Sequence, residues 1–279
     1  MAIKVITDSS CDLPESLVLA KDIAIIPLTV SFTGDPRVYR DQVDITTHEF
    51  WNRMFKSKFL PKTSTPDPQT FIDNFEKWLQ LKGEVIYIGL SSGLSSTFQT
   101  AQLALQLVGS PQVKLVDSLS ASLGTGIQVL KAIEYVGLGL SLEEVTARVI
   151  EYRDSMETIF TLDTLENVVK GGRLSRVAGV VGGIVDFKPI FRGINGKVEL
   201  YEKLRGRKKA LKRLVDLAGC MGKTARNRIV GITHVDCLTE VEYLANQIRE
   251  RYNPQNILIS EMGATIGTYA GRGGILLHF

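Results

Sequence analysis

The chain has 279 residues, 44% of them apolar and 23% charged, with a net charge of +3. That length leaves room for two domains or one large one. So small a net charge gives no electrostatic footprint for nucleic acid, and no apolar stretch reaches the length of a membrane span. Met1-Ala2-Ile3-Lys4-Val5-Ile6 runs straight into Asp8, too short for the apolar part of a signal peptide. Cys11, Cys220 and Cys237 are odd in number and lack metal spacing. They fit free thiols in a reducing compartment, so the chain reads as cytoplasmic.

Ile3 to Thr7 reads as a short apolar strand. Asp8-Ser9-Ser10-Cys11-Asp12-Leu13-Pro14 follows, with cap residues and a proline suited to a first helical turn. A helix start beside Cys11 would lower its thiol pKa. Ala24 to Phe32 reads as a second strand, and Asp44-Ile45-Thr46-Thr47 leads into an amphipathic segment over His48 to Phe55. Phe71, Phe75, Trp78 and Leu79 recur at helical spacing, which predicts a helix over Asp67 to Leu81. Val85 to Ile88 is a strand, Ser96 to Val108 a helix and Val113 to Val116 a strand closed by Asp117-Ser118. Leu123 to Val136 is an apolar helix, and the capping box Ser141-x-x-Glu144 opens another. This rhythm predicts an α/β fold whose N-terminal part, residues 1–155, is a Rossmann-like parallel sheet covered by helices on both faces.

The pattern changes after residue 155. Thr158 to Leu162 is a strand, Lys170-Gly171-Gly172-Arg173 breaks the chain, and Val177 to Val185 is small and apolar. Pro189 to Arg192 and Lys197 to Lys203 flank Ile194-Asn195-Gly196, a hairpin signal. A helix over Arg207 to Ala218, a strand over Arg228 to Thr233, a helix over Thr239 to Arg251 and a strand over Asn256 to Glu261 complete the reading. Hairpins mixed with helices predict an α+β domain over residues 156–279. The basic run Lys203 to Lys209 reads as a solvated helix start, or as a docking patch for an acidic or phosphorylated partner.

Two hydroxyl-rich turns carry the most chemistry. Lys62-Thr63-Ser64-Thr65-Pro66-Asp67-Pro68 precedes one predicted helix, and Gly89-Leu90-Ser91-Ser92-Gly93-Leu94-Ser95-Ser96-Thr97 precedes another. A helix start offers free backbone N–H groups and partial positive charge, so it suits an anion. Hydroxyls there can donate to a carboxylate without adding a full charge. Simple helix capping is the competing reading.

Other motifs compete. Gly89-Leu90-Ser91-Ser92-Gly93 fits the G-x-S-x-G nucleophile elbow, with Asp117 or Asp163 and then His234 or His278 in triad order. No HGGG-like oxyanion loop precedes it. Gly219 to Thr224 ends in Gly-Lys-Thr but has Leu217 where a P-loop needs glycine. His234-Val235-Asp236 lacks a third ligand at metal spacing, so a hydrogen-bonded turn histidine fits better.

Taken in order, several short motifs resemble the DegV family along the whole chain. They include Thr7-Asp8-Ser9-Ser10-x-Asp12-Leu13, Tyr39-Arg40-Asp41-x-x-Asp44-Ile45-Thr46, Thr63-Ser64-x-Pro66 and Ser92-x-Leu94-Ser95-x-Thr97-Phe98. Asp117-Ser118, Lys170-Gly171-Gly172-Arg173-Leu174-Ser175, Lys188-Pro189-Ile190 and Arg205-x-x-Lys208-Lys209-Ala210 continue the match. The resemblance implies a lipid-binding protein, not an enzyme, that holds a long-chain fatty acid such as palmitate between two domains. It implies no cofactor and no metal. It also implies a partner, an ATP-binding fatty acid kinase subunit that phosphorylates the bound carboxyl group. The family's carboxylate-binding threonine and serine fall on Thr63 and Ser95, with Ser64 and Ser96 beside them. Arg173 and Arg205 lie in matching basic turns and are expected to flank the mouth of the site, facing the partner.

One departure matters. The family usually ends with Gly-Thr-His-Thr-Gly-Pro-Gly, whereas this chain has Gly267-Thr268-Tyr269-Ala270-Gly271-Arg272-Gly273. Tyr269 replaces the histidine at the carboxyl end, and Arg272 is expected to add charge there. A phenol donates a hydrogen bond well, but with a reference pKa of about 10 it shuttles protons poorly at neutral pH. Tyr269 therefore favours an alternative: lipid storage, transport or sensing with no kinase partner. A serine esterase using Ser91 is the third reading. For the tail, Leu123 to Val136 and Val177 to Val185 offer apolar lining, with core packing as the alternative. Burying about 14 methylenes at ~0.8 kcal/mol each gives ~11 kcal/mol of gross driving force, less ordering costs.

Overall fold

The computed structural model describes residues 2–174, 187–221 and 225–279. Val177 to Val185 lie outside the described residues. Three sheets organise the rest. The first holds β1 (Ala2–Asp8), β2 (Ala24–Ile26), β6 (Gly83–Gly89) and β7 (Val113–Asp117) in the order β2-β1-β6-β7. Every pair in it is parallel. The short helix α1 (Glu15–Ala20) links β1 to β2. Parallel strands need both faces covered. Here α3 (Pro68–Lys82) and α4 (Thr97–Val108) pack on one face, where Phe71, Phe75, Ala101 and Ala104 are buried with Tyr87. On the other lie α5 (Leu123–Gly137) and α6 (Leu142–Asp154), which bury Leu123, Val129, Val145 and Val149 against Ile86 and Ile88.

The predicted strand over Ala24 to Phe32 is two strands in two sheets. Pro27 lacks a ladder donor and ends β2. The chain then turns to form β3 (Thr29–Ser31), which pairs antiparallel with β4 (Val38–Arg40) and β5 (Lys62–Ser64) in a separate small sheet. Between β4 and β5, α2 (Thr47–Met54) is closed at its start by a full capping box of Thr46 and Glu49.

The third sheet has six strands in the order β10-β9-β8-β13-β11-β12. It comprises β8 (Thr158–Thr161), the hairpin of β9 (Phe187–Ile194) and β10 (Lys197–Arg205), β11 (Ile229–His234), β12 (Asn256–Glu261) and β13 (Ile275–His278). Only β11 and β12 pair in parallel. Helices α8 (Arg207–Cys220) and α9 (Leu238–Tyr252) cover one face, burying Leu211, Leu214, Val241 and Leu244 with Ile232 and Leu277. Two short helices lie toward the other sheets, α7 (Glu166–Lys170) and α10 (Ala264–Ala270). No helix of the described residues is long and apolar enough to cross a membrane.

Helix α5 belongs to both sheets. Its residues Leu123 and Ile127 also rest against Gly231 in β11, where an added Cβ would sit 2.9 Å from each. That close approach explains the glycine in the middle of a strand. Helix α5 is therefore core, not tunnel wall.

Candidate functional site

In an open parallel sheet, ligands bind beyond the carboxyl ends of the strands, where the strand order reverses. The order β2-β1-β6-β7 reverses between β1 and β6. A cavity of about 400 Å³ opens beside the loops that follow β6 and β7, within the usual range for ligand pockets. Leu90 and Leu94 come from the first loop, Leu119 and Ala121 from the second. Phe160 and Leu276 of the third sheet, with Leu162 just after β8, form the opposite wall, and Ile266 and Ala270 of α10 close a side. The lining is mostly apolar, with hydroxyls gathered at particular points.

Both predicted turns reach this cavity. Thr63, Ser64, Ser95, Ser96 and Tyr269 all line it. Thr63 Oγ1 and the Tyr269 hydroxyl share a hydrogen bond of 2.7 Å. Thr65 Oγ1 lies 3.1 Å from Ser96 Oγ and 3.2 Å from Thr97 Oγ1, and Ser95 Oγ lies 2.9 Å from Thr97 Oγ1. The two turns thus form one hydroxyl cluster. Its origin differs from the sequence expectation on one side. Thr63 and Ser64 belong to β5, and the start of α3 is capped by the Asp67 carboxylate through the Thr70 N–H. That helix end holds an acid already and does not serve an anion. Helix α4 has no side-chain cap from Ser96, and its first N–H, that of Thr97, donates to Ser95 Oγ at 3.3 Å.

Tyr269 lies within α10. Its ring rests on Gly171, where a Cβ would come within 2.3 Å of it. The Arg173 guanidinium lies 4.3 Å from the centre of the same ring, and one of its N–H groups donates to the Gly171 carbonyl. Arg173 therefore stands at the hydroxyl end of the cavity, and Lys197 lines both the cavity and an adjoining polar cleft. Arg205 does not flank the mouth. It is exposed at the far end of β10, eight residues from Lys197 and so on the order of 25 Å along the strand. Arg272 also departs from expectation. It pairs with Asp236 at 2.9 Å and covers the Phe55 ring at 4.2 Å, away from the cavity lining.

Ser91 is not set up as a nucleophile. Its side chain is fully buried, donates to the Gly196 carbonyl at 2.7 Å and accepts from the Gly93 N–H at 3.1 Å. Neither acid of the proposed triad faces a histidine. Asp117 accepts from the Ser92 and Leu119 N–H groups, and Asp163 pairs with Lys188 at 2.6 Å. His278 Nδ1 meets Thr158, and His234 Nδ1 accepts from the Cys237 N–H in a turn. Ser91 instead ties the loop after β6 to the β9–β10 hairpin. Ser91→Ala is expected to lower stability by about 1–3 kcal/mol, because a buried carbonyl loses its donor. Urea unfolding checks this, with a shifted midpoint at unchanged slope. Ester turnover that depends on Ser91 would contradict it.

Cys11 is likewise quiet. Burial, with Asp8 and Asp12 nearby, pushes its thiol pKa up, opposite to the helix-start expectation. Among the described residues no cluster of histidine, cysteine and carboxylate side chains could hold a metal.

Three buried carboxylates escaped the sequence reading as a group. Asp8 accepts from the Tyr87 hydroxyl at 2.7 Å and the Leu90 N–H at 2.9 Å. Asp12 accepts from the Ser122 hydroxyl and, at 2.8 Å, from the Gly263 N–H. Asp41 accepts from Ser9, Thr265 and the backbone N–H groups of Ala264 and Thr265. Asp12 and Asp41 thus cap α10, the helix that carries Tyr269, from a distant part of the chain. Burial raises the Asp8 carboxyl pKa, takes Asp41 to about 6 and takes Asp12 to about 8. The signal was present in Asp8-Ser9-Ser10-x-Asp12, but it reads as a local helix cap.

Comparisons with known proteins bear on the family and the fold. The family model described as "Uncharacterised protein, DegV family" matches residues 2–278. A DegV domain-containing protein of Caldanaerobacter subterraneus subsp. tengcongensis is 34% identical over 269 residues, covering 96% of this chain and 95% of that one. A DegV family protein from Thermus thermophilus, whose structure is described for its fatty acid binding, superposes with a TM-score of 0.89 at 30% identity over 100% and 99% of the two chains. The Streptococcus pneumoniae Fatty Acid Kinase (Fak) B3 protein, loaded with linoleic acid, superposes with a TM-score of 0.87 at 25% identity over 100% and 99%. From its first strand to its last, the chain belongs to the DegV family.

Proposed function

We propose that this protein binds a long-chain fatty acid. The tail fills the apolar cavity, and the carboxylate meets Thr63, Ser95 and Tyr269, with Ser64 and Ser96 beside them. One observation carries the reading: a cavity with mostly apolar walls ends in a cluster of hydroxyls next to Arg173. Neutral donors with two nearby cations, Arg173 and Lys197, suit a carboxylate, and the walls suit its chain. The fatty acids in the T. thermophilus and S. pneumoniae relatives support it. Mass spectrometry of an organic extract of the purified protein tests it. A stoichiometric free fatty acid is expected, and an empty extract with no uptake of added fatty acid would overturn it.

The division into residues 1–155 and 156–279 belongs to the same proposal. The break between α6 and β8 supports it, since the all-parallel sheet lies before it and the six-stranded sheet after it. The fatty acid lies between the two.

The S. pneumoniae relative favours presentation to a kinase subunit that transfers the γ-phosphoryl group of ATP to the carboxylate. Arg173 would then neutralise charge at the reacting end, and Arg205 would help dock the partner together with exposed Lys203, Lys208 and Lys209. With a cognate kinase, Arg173→Ala is expected to lower kcat roughly tenfold to a hundredfold. Arg205→Ala is expected to raise KM for the acyl-carrying protein while kcat holds. Steady-state acyl phosphate formation measures both. Normal rates in both variants would remove these roles from Arg173 and Arg205, and no acyl phosphate from the parent protein with any kinase subunit would leave the storage or sensing reading that Tyr269 favours.

A further inference from the structure

The cavity has a second polar point, away from the hydroxyl cluster. Thr158, Phe160 and Leu162 line it from alternate positions of β8 and the residue after it. Four residues of extended chain, roughly 13 Å, separate the first from the last. Leu162 lies toward α7, Arg173 and Tyr269. At the Thr158 end, Thr158 Oγ1 meets His278 Nδ1 at 3.1 Å, and Ser120 Oγ approaches Thr158 Oγ1 at 3.4 Å. All three residues line the cavity. Gly193 lies across from Thr158 and adds no side chain there.

Nothing in a hydrocarbon tail calls for this arrangement. His278 is fully buried, and its Nε2 has no hydrogen-bond partner. Burial lowers its pKa to about 3, so the imidazole stays neutral and offers one donor and one acceptor. Only one of the two is used. The Ser120 hydroxyl has a single long contact. A buried polar group without a partner is costly, and a ligand that supplies one recovers that cost.

We infer that the cavity selects fatty acids bearing a hydroxyl on the chain well away from the carboxylate, bound at Ser120 and Thr158 with His278 behind them. This rests on the fatty acid reading above and names the class of acid. A methyl-terminated chain would leave the Ser120 hydroxyl with its one long contact and add no partner for the imidazole. A chain hydroxyl would complete their network without adding charge to the cavity.

Competition against a fluorescent fatty acid tests the inference, using stearate and hydroxystearates with the hydroxyl at successive positions. One position, or two neighbouring ones, should bind roughly threefold to tenfold tighter than stearate. In a Ser120→Ala, Thr158→Val double variant the ratio of the two affinities should fall to one or below. Thr158→Val alone keeps the β-branched shape in β8 and carries the same test if the double variant misfolds. Hydroxystearates weaker than stearate at every position would overturn the inference, as would a ratio unchanged in the variants. Failure of stearate itself to bind is a different result: it removes the fatty acid reading and this inference with it.

Discussion

A Thr63→Ala, Ser95→Ala double variant is expected to bind fatty acid about a hundredfold more weakly than the parent protein. Each hydrogen bond to a charged group contributes about 1.5–3 kcal/mol, and 1.4 kcal/mol is tenfold in affinity. The two hydroxyls belong to one cluster, so their losses will not add in full. Thr63→Ala also frees the Tyr269 hydroxyl from its 2.7 Å contact, which lets the phenol compensate in part. Displacement of a fluorescent fatty acid measures the change. Equal affinity in the double variant would remove the carboxylate from this end of the cavity.

The second large effect concerns pH. Burial takes the Asp12 carboxyl from its ordinary 3.8 to about 8. The folded chain therefore keeps a proton that the unfolded chain gives up. Stability from this group is complete below about pH 4 and is lost as pH rises through about 8. Asparagine keeps an acceptor for the Gly263 N–H and cannot ionise. Asp12→Asn should thus gain on the parent between pH 5 and 8, by at least about 2–4 °C in Tm for each ~1.4 kcal/mol relieved. His278 works the other way. Its lowered pKa gives stability above about pH 6.5 that is lost as pH falls through about 3. Because His278 is common to both proteins, the difference between their melting curves isolates Asp12. A difference that stays flat with pH would show that this carboxyl titrates normally.

The sequence was legible where local pattern and tertiary structure agree. The βα rhythm from Val85 to Val136, the capping box at Ser141 and the hairpin around Asn195-Gly196 each appear in the fold. It was opaque where a residue acts far from its neighbours. Pro27 splits one apolar run between two sheets. Helix α10 and strand β13 hide among Gly263, Gly267, Gly271, Gly273 and Gly274, which dilute the periodicity that marks an element. Thr63 and Ser95 were readable as hydroxyl turns, but their meeting at one cavity is a product of topology. The place of Tyr269 came only from resemblance. Asp12 and Asp41 look like caps for the helix next to them, yet they cap one more than 200 positions away.

The helix shared by both large sheets has a consequence for how the chain comes apart. Leu123 and Ile127 press on Gly231 of the six-stranded sheet, while Leu123 and Val129 also fill the space beneath the parallel one. Two lobes joined only by a hinge can melt one after the other. Here neither sheet can lose its helices without stripping a wall from the other, so heating should produce one calorimetric transition whose van't Hoff and measured enthalpies agree. Movements that admit a ligand must then be local openings at the short helices α7 and α10, not separation of the halves.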